Sequence, residues 1–236
     1  MTEDGDRQDL RFEVDGAPTD VSAILCRPAD ATALLVLAHG AGAGIRHVFL
    51  ESLVTELSAR GIATLRYQFP YMEIGGRPPD RPPRLTATVR AAIETARSVG
   101  DGLPILAGGK SMGGRMTSTL LSEHGGDFPY VRGIVFYGFP LHPPRKPSDT
   151  RGAHLFDVRH AMLFLQGTRD ALADLSLLEP VCTQLGDTAT LHVVEGADHS
   201  FHVLKRSGRT DAEVLGELAD ETARFAASRV AGEPSS

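Results

Sequence analysis

Two cysteines, Cys26 and Cys182, are all that this 236-residue chain contains. That is too few for a disulfide framework or a cysteine zinc cluster, and two unpaired thiols suit a reducing compartment. Long hydrophobic runs are also missing: no uninterrupted apolar stretch approaches the roughly 20 residues that cross a bilayer. The opening MTEDGDRQDL is acidic and lacks the apolar core of a secretory signal. A cytoplasmic protein with no membrane partner is expected. Basic clusters are absent too. Lysine and arginine total 24 against 30 acidic residues, the net charge is −6, and nearly all the positive charge is scattered arginine. Such a balance offers no general electrostatic reason to bind nucleic acid.

What remains is 42% hydrophobic and 23% charged. That suits one globular domain over 1–236, with frayed ends at about 1–9 and 231–236. Two Pro-rich stretches, at 75–84 and 140–147, are short enough to be loops. Segments 10–14 and 21–26 alternate polar and apolar, which predicts an antiparallel edge hairpin. Residues 33–38, ALLVLA, form a continuous apolar run, as in a strand buried on both faces. Strands are then expected at 62–67, 104–108, 131–137, 161–166 and 190–195. Helices are expected at about 47–60, 84–99, 112–123, 174–185 and 210–229. The alternation predicts an α/β fold, a mostly parallel sheet with helices on both faces. Sites in such sheets lie at the C-terminal ends of the strands.

One strand end carries two overlapping motifs. LPILAGGKSMGGR, 103–115, contains the GKS tail of a phosphate-binding loop and also G-x-S-x-G, the nucleophile elbow of a serine hydrolase. The phosphate loop fails. Position 104 is Pro where it needs Gly, the strand runs almost to the GKS so no loop remains to wrap a phosphate, and GIVFYG carries no terminal Asp for magnesium. The elbow fits: Gly109, Gly113 and Gly114 are the small neighbours that a strained Ser111 requires. The N–H of Met112, at a helix N-terminus, would then face an oxyanion.

A serine hydroxyl needs a base, and the base needs an acid that fixes its tautomer. Asp170 follows strand AMLFLQ in GTRDAL, and His199 follows TLHVVE in GADHSF. The order Ser111, Asp170, His199, each after a strand, is the one this architecture uses. Asp198 and His202 are rival acid and base. Asp174 is expected to cap the next helix, and His192, within a strand, to be a packed core histidine. A second oxyanion donor would come from HGAGAG, 39–44, most simply the N–H of Ala41, with His39 fixing that loop by hydrogen bonds.

HGAGAG, RYQFPYMEIGGRPPDRPP, GGKSMGGR, GFPLHPPRKP, FLQGTRD and GADHSF together resemble a family of small α/β-hydrolases close to the dienelactone-hydrolase-like group, over about 33–225. The resemblance implies an α/β-hydrolase fold and a Ser111–Asp170–His199 triad, but supplies no substrate. Dienelactone hydrolase itself uses a cysteine, so activity on dienelactone is not expected. The function expected is a serine carboxylesterase for small esters, without cofactor or metal. The rival is a non-catalytic scaffold on the same fold, as some eukaryotic relatives in chromatin complexes look to be. Thioesterase, peptidase and acyltransferase share the same machinery. The 138–160 segment is too short for a cap domain, so the site should be open. Tyr71, Met72, Lys110, Phe139 and His142 follow strand ends and are candidate substrate contacts. Lys110, Arg66 and Arg169 could form an electropositive mouth for anionic esters.

Overall fold

The computed structural model describes residues 6–76 and 78–230. Eight strands form one sheet: β1 Asp6–Phe12, β2 Val21–Arg27, β3 Ala33–Ala38, β4 Ile62–Tyr67, β5 Ile105–Lys110, β6 Val131–Tyr137, β7 Met162–Gly167 and β8 Ala189–Val194. Their spatial order is β1-β2-β4-β3-β5-β6-β7-β8. From β4 to β8 every neighbouring pair is parallel, and β2 pairs antiparallel with both β1 and β4. The helices are α1 Val48–Ser58, α2 Pro70–Glu73, α3 Pro82–Val99, α4 Met112–His124, α5 Leu175–Leu185 and α6 Asp211–Val230.

The continuous apolar strands are central because both their faces are covered. Every residue of β3, β4 and β7 is buried. One face packs against α1 and α6 through Leu50, Leu53, Val214 and Leu218. The other packs against α3, α4 and α5 through Val89, Met116, Leu120 and Leu178. A leucine buried this fully contributes about 2 kcal/mol of transfer free energy.

Two expectations are corrected at the periphery. β1 starts at Asp6, so residues 6–9 belong to the sheet and not to a frayed end; their side chains are exposed, and pairing with β2 orders them without apolar burial. The expected fraying of 1–5 and 231–236 lies outside the described residues. The Pro-rich stretch 140–147 is a loop, as expected, and of the described residues in 75–84 only 82–84 are helical, as the first turn of α3. No helical cap intervenes between β6 and β7 among the described residues. His192 is not a core residue. It sits half-exposed on the edge strand β8, with Nε2 2.7 Å from Glu217 and Nδ1 3.1 Å from Glu221 on α6.

At the sheet centre, β5 and β6 approach so closely at Gly108 that a Cβ there would collide with the Val135 carbonyl. Gly108→Ala should therefore lower the unfolding free energy by about 3 kcal/mol or more, measured in urea; a loss below about 1 kcal/mol would contradict the approach.

Candidate active site

The site is built where β5 ends. The strand runs through Lys110, and α4 begins at Met112, so Ser111 alone makes the turn. It does so at φ 51°, ψ −116°, a conformation that L residues rarely adopt and that costs on the order of 1–3 kcal/mol. Glycines permit the turn. A Cβ at Gly113 would lie 2.6 Å from Ala38 Cβ and 2.7 Å from His39 O, and one at Gly109 would lie 2.8 Å from Ala38 Cβ. The elbow is thus pressed against the end of β3, and the Ser111 hydroxyl is directed away from the sheet.

A chain of hydrogen bonds starts at that hydroxyl. His199 Nε2 is 2.8 Å from Ser111 Oγ, and His199 Nδ1 is 2.7 Å from Asp170 Oδ2. The ionised carboxylate can only accept, so Nδ1 carries the proton and Nε2 accepts from Ser111. Asp170 is buried and accepts twice more, from Gln166 Nε2 at 2.5 Å and from the Leu172 N–H at 2.7 Å. Gln166 in turn accepts from the Phe139 N–H at 2.9 Å. Its signal in the sequence was a lone polar residue closing the apolar run MLFLQ.

The 39–44 loop lies across the elbow. A Cβ at Gly40 would sit 3.7 Å from Ser111 Cβ. Ala41 is at the edge of the Ser111 pocket, inside a turn closed by Ala43 N–H to Gly40 O. Met112 is the first residue of α4, its side chain in the core. His39 fixes the loop as expected: Nδ1–H donates to Gly40 O at 2.7 Å, and Nε2 accepts from the Phe69 N–H at 3.1 Å.

Known proteins agree with this frame. Residues 31–227 match the profile of an alpha/beta hydrolase domain. The chain belongs to the alpha/beta hydrolase family. Its fold is similar to that of a dienelactone hydrolase from Anabaena variabilis (19% identity, TM-score 0.70, covering 93% of this chain and 96% of that one). It is similar also to an alpha-beta serine hydrolase homologue from Coxiella burnetii (15%, 0.71, 92% and 96%) and to Est1E from Butyrivibrio proteoclasticus (14%, 0.70, 94% and 99%). At such identities the likeness is one of fold.

Within this alpha/beta hydrolase, a pocket of about 590 Å³ opens beside Ser111 and His199. Its walls are mainly apolar: Val48 and Phe49 of α1, Leu172, Phe201, and Leu215 of α6. Phe49 and Phe201 stack at 5.7 Å with planes 15° apart. None of these was singled out in the sequence. Of the five candidate contacts, only Lys110 lines this pocket. Tyr71 is buried, and its hydroxyl accepts from the Gly42 N–H at 2.9 Å, so it braces the 39–44 loop from behind. Met72 faces a separate cleft beside Arg11 and Glu73. Phe139 is in the core between Phe136 and Phe164. His142 is buried, accepting from the Asp174 N–H at 2.9 Å. All four follow strand ends, but Tyr71, Phe139 and His142 turn inward and Met72 turns to the other cleft.

Of the three cations expected at an electropositive mouth, only Lys110 lines the pocket. Arg66 is buried and paired with Glu51 at 2.8 Å, and Arg169 is exposed and donates to Gly196 O at 3.0 Å. The rival acid and base have other partners. Asp198 accepts from the Ser200 and His202 N–H groups and shapes the turn that presents His199. His202 pairs with Asp211 at 2.8 Å on the pocket rim, and that hydrogen bond raises its pKa. Asp174 caps α5 through Ser176 N–H, as expected.

Burial lowers the pKa of His39 to about 4, partly offset by its bond to Gly40 O. Between pH 6.5 and about 4 the unfolded chain therefore binds a proton that the folded chain refuses, and stability falls as pH drops through that window. The contribution is about 3 kcal/mol at most. His39→Gln should flatten the urea-measured stability between pH 7 and 4 by an amount of that order; an unchanged slope would count against a buried, neutral His39.

Proposed function

We propose that this protein is a serine carboxylesterase that hydrolyses small, neutral esters through an acyl-enzyme. The observation that carries the reading is the unbroken hydrogen-bond chain from buried Asp170 through His199 to the strained Ser111, opening onto an apolar pocket. Ser111 Oγ attacks the ester carbonyl carbon as its proton passes to His199 Nε2. Asp170 holds the imidazole in the required tautomer and stabilises the imidazolium. The carbonyl oxygen becomes an oxyanion facing the N–H groups of Met112 and Ala41; a donor in that role contributes roughly 10²–10³-fold in rate. Collapse breaks the bond to the leaving alkoxide, which takes the proton from His199. Water then repeats the sequence and releases the acid, and the chemistry needs no cofactor.

The pocket supports the substrate class. Its walls are mainly apolar, no helical cap closes it among the described residues, Arg66 and Arg169 are engaged elsewhere, and the Lys110 ammonium is tied to the His199 carbonyl oxygen. A carboxylate-bearing acyl group would lose hydration among the apolar walls. No helix among the described residues is long and apolar enough to cross a membrane, and Cys26 and Cys182 are both buried. A small-molecule substrate and a cytoplasmic setting are part of the same proposal.

Ser111→Ala should reduce turnover of p-nitrophenyl acetate by about 10⁴-fold or more and abolish labelling by a fluorophosphonate probe. Retained hydrolysis by that variant, or a folded wild type that the probe does not label, sinks the assignment. In a panel of p-nitrophenyl esters, neutral butyryl and hexanoyl chains should exceed the hemisuccinate in kcat/KM by about tenfold or more, since the buried charge costs at least 1–2 kcal/mol. Equal rates would show that the apolar walls do not select the acyl group.

A further inference from the structure

We propose that Lys110 is a positioning residue, which ties the His199 loop to the nucleophile elbow and holds the imidazole in place over Ser111. The proposal rests on the triad reading above. Lys110 is the last residue of β5 and is joined directly to Ser111. It lines the pocket, and its Nζ donates to the backbone oxygen of His199 at 2.5 Å. The contact bridges 89 residues of chain, from the strand carrying the nucleophile to the loop carrying the base.

The neighbourhood of Gly138 locates the charge. A Cβ built there would lie 3.0 Å from Lys110 Nζ, 3.4 Å from Asp170 Oδ2 and 3.4 Å from His199 Nδ1. Ammonium, carboxylate and imidazole therefore converge on one point beneath the triad. The ammonium also lies 5.4 Å from the Phe201 ring and 5.9 Å from the Phe49 ring, the two walls that stack on each other in the pocket. The groups that face it are Asp170 after β7, Asp198 and His199 after β8, the neutral rings of Phe49 and Phe201, and Gly138 after β6. Farther out on the rim stand His202 and Asp211, paired with each other. Burial lowers the Lys110 pKa to about 8 against the pull of Asp170 and Asp198, so the ammonium form dominates at neutral pH.

A cation fixed there has a direct consequence. A charge-assisted hydrogen bond to His199 O holds the imidazole over Ser111, where about 1 Å of misplacement can cost about 100-fold in rate.

The test is Lys110→Met, similar in length and uncharged, compared with Lys110→Arg, which keeps the charge. Lys110→Met should lose about tenfold in kcat on p-nitrophenyl butyrate with KM within about twofold. Lys110→Arg, which can still donate to the His199 carbonyl oxygen, should keep kcat within about threefold of wild type. Lys110→Gln supplies the neutral side chain if Lys110→Met does not fold. Equal losses of kcat in the neutral and charged variants overturn the proposal. So does a loss confined to KM for carboxylate-bearing esters, which would make Lys110 a substrate contact. Failure of the triad reading looks different: wild type would resist fluorophosphonate labelling at Ser111.

Discussion

Everything at the site depends on how closely the end of β5 is pressed against the end of β3. Gly109 and Gly113 leave no room for a side chain against Ala38 and the His39 carbonyl. That approach lets a single residue, Ser111, turn the chain from strand to helix at a positive φ. The strain is local and is outweighed by the packing around it, since β3 and β5 are among the most buried strands of the sheet. A longer, relaxed turn would leave the hydroxyl free to choose rotamers and would move the start of α4 away from it. The same approach places Gly40 beside Ser111, so one contact positions both the hydroxyl and the loop that faces it.

Around this point the protein buries polar groups in satisfied chains. Asp170 takes three hydrogen bonds, from His199, Gln166 and Leu172. Gln166 also accepts from Phe139, and so fastens the end of β7 to the segment after β6. His39 is wholly buried yet engaged at both ring nitrogens, and Tyr71 reaches the same loop through Gly42. A buried polar group left alone would cost roughly 1–3 kcal/mol, so these partners are part of the fold as well as of the site. They tie the end of β3 to that of β4 and the ends of β6, β7 and β8 to one another, and leave the pocket wall mainly to apolar side chains.

How far this could be read from the sequence follows from which forces act at each position. The parallel sheet was legible because buried strands such as Ala33–Ala38 admit only apolar residues. Ser111, Asp170 and His199 were legible as the polar residues that follow such runs in a set order. The first residues of β1 were not, because an exposed edge strand is held by backbone pairing, which leaves no apolar signature. Nor were the pocket walls. Phe49, Leu172, Phe201 and Leu215 come from a helix, two loops and another helix, and only the folded chain brings them together. Proximity to a strand end was a poor guide to side-chain direction: Tyr71, Phe139 and His142 all follow strands, and all turn into the interior.

Lys110 shows why a local motif needs its tertiary setting. In a phosphate-binding loop the lysine before the serine stands at the mouth of a helix and meets an anion from solvent. Here the strand continues through Lys110, so the peptide that would have wrapped a phosphate is paired with β6 instead, in register with Tyr137. The ammonium is thereby carried beside the stacked Phe49 and Phe201 rings and against the backbone of His199. Burying it there works against folding, because the desolvation that lowers its pKa is free energy spent on keeping a charge out of water. A methionine could fill the same volume without that cost. That a charge is kept at this position, within reach of the acid and base of the site, is the physical argument that it acts on them.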